Sequence, residues 1–198
     1  MQDLWDYLPY ERYFVDGALV SHQGDVTFVD CGAYDGDTIA AFWQSVGERL
    51  RRVYAFEPSS ENYRSLQQNL RHLGLLAQTE SFCCGVSDRR GRARFTENKT
   101  MSFIDSKGVT EIDLCRLDDC VGEVEGHLYI KMDIEGFEVP ALQGAAHLIE
   151  KHHPYMAICT YHKWNDYIEI PETIKSIRAD YDFYLRGGMH TICHIVPR

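Results

Sequence analysis

No stretch of the 198-residue chain approaches the roughly 18 apolar residues of a membrane span, and Met1 to Asp6 lacks the basic start and apolar core of a secretory leader. A cytoplasmic protein with no membrane partner is the expectation. The chain also lacks any C-x-x-C pair. Its seven cysteines (Cys31, Cys83, Cys84, Cys115, Cys120, Cys159 and Cys193) are an odd number and sit mostly inside apolar runs. Buried free thiols explain that pattern better than a disulfide framework or a zinc site. Basic residues are few, 20 Lys and Arg against 30 Asp and Glu, for a formal charge of -10. Nonspecific attraction to nucleic acid or an anionic surface is disfavoured, and nothing in the total charge argues for such a partner. Oligomeric state is not readable.

What is present is an ordinary globular composition, 44% hydrophobic and 25% charged, in a length that suits one domain. Residues 1–25 are rich in aromatics and acids, with a short helix expected near Asp3 to Leu8, a weak strand at Tyr13 to Val15, and a candidate role as a lid. Residues 26–198 read as a single domain. Strands are expected at Val26–Cys31, Arg52–Phe56, Thr79–Val86, Ala93–Thr96, Val109–Leu117, Leu128–Met132, Tyr155–Tyr161, Tyr181–Leu185 and Thr191–Val196. Helices are expected at Thr38–Leu50, after Ser59 or Ser60 up to Gly74, at Phe137–Lys151 and at Pro171–Ala179. Strands alternating with helices and closed by a hairpin predict a three-layer α/β domain. Glu97 to Gly108 has no period and reads as a loop, a candidate rim of the site.

The stretch Val26 to Thr38 carries the first chemistry. An apolar strand runs into a turn with Gly32 and Gly36, and a helical pattern follows at once, as at the ligand end of an open α/β sheet. Asp30, Asp35 and Asp37 make that turn acidic, so a pyrophosphate at the helix N-terminus would be repelled. Glu57 closes the second strand, where a carboxylate can accept both hydroxyls of a ribose. A nicotinamide dinucleotide shares the ribose but wants Gly-x-Gly-x-x-Gly and a clean helix start. S-adenosyl-L-methionine has the ribose and adenine, no phosphate, and a cationic methionine end, so it fits better. An NAD(P)-dependent oxidoreductase and a noncatalytic binding module of the same fold stay open as alternatives.

Phe28-Val29-Asp30-Cys31-Gly32-Ala33-Tyr34-Asp35-Gly36-Asp37-Thr38, then Tyr54-Ala55-Phe56-Glu57-Pro58 with Asn62, then Lys131-Met132-Asp133-Ile134-Glu135-Gly136-Phe137-Glu138 with Leu142 and Gly144, together resemble the FkbM family of S-adenosylmethionine-dependent methyltransferases. The Tyr161-His162-Lys163 segment and the final hairpin are similar too, so the resemblance covers about residues 26–196. It implies a class I methyltransferase, Rossmann-like fold with a mostly parallel seven-stranded sheet and an antiparallel C-terminal strand. The activity it implies is O-methylation of a hydroxyl on a sugar or natural-product intermediate.

Candidate residues for the donor are Asp30, Gly32, Ala33, Asp35, Gly36, Thr38 and Glu57, with Ser87 near the adenine. Methyl transfer is an in-line displacement, so the protein must align the acceptor and take its proton. Lys131 and Asp133 share one face of their strand, and Asp133 and Glu135 fall at its end beside the crevice. His162 closes the next strand, where a neutral imidazole could act as base. Asp133, His162, Glu135 and Lys131 are therefore the catalytic candidates, although Lys131 could simply neutralise a buried acid. Oxygen ligands at Asp133 with Asp166 or Asn165 would suit magnesium, but no motif demands a metal.

Overall fold

The structure, a computed structural model, describes residues 13–14, 24–96, 103–104, 110–187 and 190–198. Chain order is β1 (Val26–Cys31), α1 (Asp37–Val46), β2 (Leu50–Phe56), α2 (Ser60–Leu73), β3 (Thr79–Phe82), β4 (Gly85–Val86), β5 (Gly91–Thr96), β6 (Phe103–Ile104), β7 (Thr110–Cys115), α3 (Leu117–Cys120), β8 (His127–Met132), α4 (Glu138–Gln143), α5 (Ala146–His152), β9 (Tyr155–Cys159), α6 (Asp166–Ile177), β10 (Tyr181–Arg186) and β11 (Ile192–Pro197). The main sheet has seven strands in the order β10-β11-β9-β8-β1-β2-β3. β11 pairs antiparallel with both β9 and β10, whereas β1 pairs parallel with β2 and β8. This is the Rossmann-like sheet expected, with its antiparallel last strand.

All six residues of β1 are buried because helices cover both faces. One face packs Phe28 and Tyr129 against Ile39, Phe42 and Val46 of α1 and Leu66 and Leu70 of α2. The other packs Val29, Ile130 and Ile158 against Leu142 and Ile149 of α4 and α5, and Ile170 and Ile174 of α6. The alternation within each strand thus sends Phe28, Asp30, Tyr129 and Lys131 to the α1 side. α2 shows how local sequence sets its bounds. The Ser59 side chain accepts from the Asn62 N–H at its start, and Gly74 ends it at φ 74 with its N–H on Arg71 O.

Several expected elements differ. The strand expected over Thr79–Val86 breaks at Cys83 and Cys84: β3 stays with β2, while β4 leaves to pair with β7 in a second sheet ordered β4-β7-β5-β6. Two thiols meet at this junction, Cys84 Sγ 3.3 Å from Cys115 Sγ. The strand expected over Val109–Leu117 ends at Cys115, and Leu117 begins α3. The single helix expected over Phe137–Lys151 is two, because the Ser87 carbonyl lies where a Cβ on Gly144 would be, 2.0 Å away. α5 is then capped from a distance by Asp118, which accepts the N–H groups of His147 and Leu148. α6 starts at Asp166, five residues before the Pro171 expected to open it, and carries that proline inside. Tyr13 and Phe14 are not in a strand, and the helix expected near Asp3 to Leu8 and most of the Glu97 to Gly108 loop lie outside the described residues. Among the described residues no helix is long and apolar enough to cross a membrane.

Candidate active site

The turn after β1 has already spent its backbone donors. Gly32 and Ala33 N–H both bond to Phe56 O at 3.0 Å, and the Gly36 N–H goes to Ala33 O. Tyr34 N–H reaches Glu57 Oε2 at 3.0 Å, Asp37 N–H reaches Asp35 Oδ1, and Thr38 gives both its N–H and its hydroxyl to Asp37 Oδ1. A phosphate arriving here would meet acids and few free donors, so the fold turns the charge argument into a geometric one. Gly32 sits at φ +81 against the next strand end, where a Cβ would lie 2.1 Å from Asp133 O. The Asp133 N–H in turn bonds Cys31 O at 3.1 Å, fixing the ends of β1 and β8 together.

Asp30 is fully buried beneath this turn. Lys131 Nζ, itself 3% exposed, lies 2.9 Å from Asp30 Oδ1 and donates to Gly32 O at 2.7 Å. Asp30 Oδ2 has no hydrogen-bond partner among the described residues. Burial raises the Asp30 pKa and the Lys131 charge lowers it, for a net rise to about 6. For Lys131 burial acts downward, but Asp30 and Asp133 outweigh it and hold the ammonium charged. Lys131 is therefore held as the counter-ion of a buried acid and braces the turn, the second of the two roles its sequence position allowed.

Beyond β8 the carboxylate of Asp133 is held from three sides. Tyr13 O–H donates to Oδ2 at 2.7 Å, Tyr161 O–H donates to Oδ1 at 3.0 Å, and His162 Nε2 stands 3.3 Å from Oδ1. Burial works to raise its pKa, but His162, Lys131 and Tyr13 prevail and keep it well below the usual carboxylate range. His162 also lies 2.8 Å from Glu138 Oε1 through Nδ1 and 3.5 Å from Glu135 Oε2 through Nε2. Glu138 is fully buried and accepts the Ile134 N–H on the same oxygen. Glu135 reaches the cluster from a backbone at φ 55.

A family model for the Methyltransferase FkbM domain matches residues 30–183. The chain belongs to this family. The FkbM methyltransferase of Methylobacillus flagellatus KT superposes at a TM-score of 0.78 and 28% identity, covering 95% of this chain and 48% of that one. The chain thus spans about half the length of that relative. An S-adenosylmethionine-dependent O-methyltransferase of Thermotoga maritima (TM-score 0.54, 13% identity, 100% of this chain and 69% of that one) shares the fold. So does a precorrin-6y C5,15-methyltransferase of Geobacter metallireducens GS-15 (TM-score 0.52, 11% identity, 90% of this chain and 82% of that one). No curated protein sequence matches significantly.

Within the FkbM domain the structure brings Asp30, Gly32, Asp35, Gly36 and Glu57 to one end of the sheet and Asp133, Glu135 and His162 beside them. Ala33 and Thr38 belong to the turn but face inward, Ala33 fully buried and Thr38 tied to Asp37. Ser87 is buried behind α4, its N–H on Cys115 O and its hydroxyl on Asp88. Three partners of the cluster carry no signal of it in the sequence. Glu138 reads from sequence as a helix-start acid, Tyr161 as a strand end and Tyr13 as part of an uninformative segment; only tertiary packing joins them to Asp133 and His162.

The neutral imidazole expected at His162 is not what this site holds. Burial lowers the His162 pKa, but hydrogen bonds and charges from Asp133 and Glu138 more than reverse that, to about 10. Glu138, His162 and Asp166 each offer a ligand atom within 4.8 Å of one another, so a cation here would have to compete with the His162 proton and with the Lys163 N–H that Asp166 accepts at 2.7 Å. In an NMR titration the His162 ring should keep both protons at pH 7 and lose one near pH 10; a midpoint near 6.5 would contradict this. Because the folded pKa lies above 6.5, the stability this pair contributes is complete below pH 6.5 and is lost as the pH rises toward about 10.

Proposed function

We propose that the chain is an S-adenosylmethionine-dependent methyltransferase acting on a hydroxyl of a sugar or natural-product intermediate. The observation that carries this is the acidic turn with its backbone donors already used, set between Glu57 and Asp133. A cationic donor without a phosphate suits that place, where Asp35 and Asp37 line the turn and the charge of the buried Asp30 beneath is met by Lys131. Asp30, Gly32, Asp35 and Gly36 would hold the methionine end. Glu57 would take the ribose through Oε2, which accepts only the Tyr34 N–H among the described residues, while Oε1 accepts the Ser59 N–H and the Asn62 amide.

When bound, S-adenosylmethionine supplies an electrophilic methyl carbon. Asp133 then has two tasks: to hold the acceptor hydroxyl in line and to take its proton. A carboxylate this acidic is a weak base toward a neutral alcohol. It can still take the proton late, once the oxygen has begun to share its lone pair and become a far stronger acid. His162, as an imidazolium, keeps Asp133 ionised. A hydroxyl acceptor suits such surroundings better than an amine, since the neighbouring carboxylates would favour the ammonium form, which has no lone pair. Trp164, 82% exposed two residues after His162, offers a face on which a sugar ring can stack.

Calorimetry tests the donor directly: S-adenosylhomocysteine should bind, and a nicotinamide dinucleotide should not. Glu57→Ala should weaken S-adenosylhomocysteine by about 100-fold, since it removes the ribose acceptor and strands the Tyr34 and Ser59 donors. Binding of the dinucleotide alone, or an unchanged affinity in the variant, would sink the assignment.

A further inference from the structure

The family match begins at residue 30, and nothing in it reaches Tyr13. Yet Tyr13 is 3% exposed and points its hydroxyl at Asp133 Oδ2 from 2.7 Å. Its place is set independently of that contact. The Tyr129 hydroxyl donates to the Tyr13 carbonyl at 2.6 Å, and the Tyr13 ring lies 5.5 Å from Lys131 Nζ. Phe14 inserts into the aromatic cluster of Phe28, Phe42 and Tyr129, with its ring 5.2 Å from that of Phe42. The backbone is thus anchored on the α1 face by apolar packing, and the hydroxyl is what the anchoring delivers. Asp133 keeps 22% of its side chain exposed, so it is gripped from within and open toward the crevice.

We propose that Tyr13 is a positioning residue for methyl transfer: donated from outside the matched domain, its hydroxyl fixes one oxygen of Asp133 so that the carboxylate faces the acceptor. This rests on the methyltransferase reading above. Among the described residues, Tyr161 and His162 both act on Oδ1 of Asp133, and Tyr13 acts on Oδ2. Without it Oδ2 loses that anchor, and the carboxylate can swing about its last bond with the Oδ1 contacts to Tyr161 and His162 left to hold it. A misdirected acceptor pair costs turnover without costing donor affinity.

Tyr13→Phe keeps the ring and its packing and removes only the donor. Transfer of labelled methyl from S-adenosylmethionine to a panel of methyl glycosides should show kcat down about tenfold with donor KM unchanged. Tyr13→para-aminophenylalanine, which restores a donor, should recover most of the loss. A crystal structure of Tyr13→Phe should show the Asp133 carboxylate in more than one orientation. A kcat equal to the parent's, or an Asp133 as ordered as in the parent, overturns the proposal. Loss of donor affinity together with turnover also overturns it, since Tyr13 would then serve the fold. If the parent methylates no glycoside, the orientation of Asp133 decides alone. A parent that fails to bind S-adenosylhomocysteine would instead defeat the methyltransferase reading, and Asp133 in the ligand-free variant would still report on Tyr13.

Discussion

Lys131→Met should cost about 3–5 kcal/mol of stability at pH 8, because it strands a carboxylate that is fully buried. The loss should shrink on acidification. In the parent, Asp30 already has a folded pKa near 6 against 3.8 in its absence of structure, so the folded state binds the proton more tightly. A raised pKa contributes stability below about pH 4 that is lost as the pH climbs through 6, a span worth roughly 3 kcal/mol. Without the ammonium the pKa of Asp30 rises further and the window extends upward. Urea melts at pH 5 and pH 8 should therefore diverge in Lys131→Met far more than in the parent. Adding Asp30→Asn to the same protein should restore most of the loss at pH 8, since the charge is then gone with its partner. A variant equally unstable at both pH values would mean that Lys131 matters through its bond to Gly32 O and not through Asp30.

Gly32→Ala should be nearly as damaging by a steric route. The new methyl would fall 2.1 Å from Asp133 O and 3.1 Å from its carbon, both backbone atoms, at φ +81. Neither strand end can yield, because the Asp133 N–H is bonded to Cys31 O and Gly32 N–H to Phe56 O. A loss of roughly 4 kcal/mol or failure to fold is expected. Gly74→Ala is the internal comparison: φ is similar at +74, but nothing lies within 4 Å, so only about 1 kcal/mol of left-handed strain should appear. If the two variants melt together, the close approach of β1 to β8 is not what constrains Gly32.

The main sheet was legible because its signals are local. β1 is a short buried run before paired glycines, and α2 carries its own cap, its own period and its own stop at Gly74. Seven strands and an antiparallel last one came from resemblance, and the pairing of β11 with β9 confirms them. What escaped were features decided by distant contacts. The break between α4 and α5 depends on the Ser87 carbonyl, and the start of α5 on Asp118. The second sheet depends on β4 leaving β3 for β7 within three residues.

The site divides in the same way. Asp30, Gly32, Glu57 and Asp133 were readable as strand-end residues at suitable spacing. The protonation of His162 was not, because no spacing rule reveals that Asp133, Glu135 and Glu138 converge on one ring. Lys131 shows the intermediate case: its neighbour was visible as a charge in the motif, but only the pairing of Asp30 opposite Lys131 in β1 and β8 decided between counter-ion and catalyst.

Two inner strands of the main sheet, β1 and β11, bear on how this protein can be divided. Residues 30–183 hold the recognisable pattern, but most of β1 precedes them and β11, wedged between β9 and β10, follows them. The stretch that carries the recognisable pattern is therefore smaller than the sheet it helps to build. A piece cut at the borders of the pattern would keep nearly every residue assigned to the chemistry while exposing sheet edges and losing the aromatic floor at Phe14 and Phe28. Borders drawn by shared sequence are in this protein borders of a recipe, and the vessel is larger.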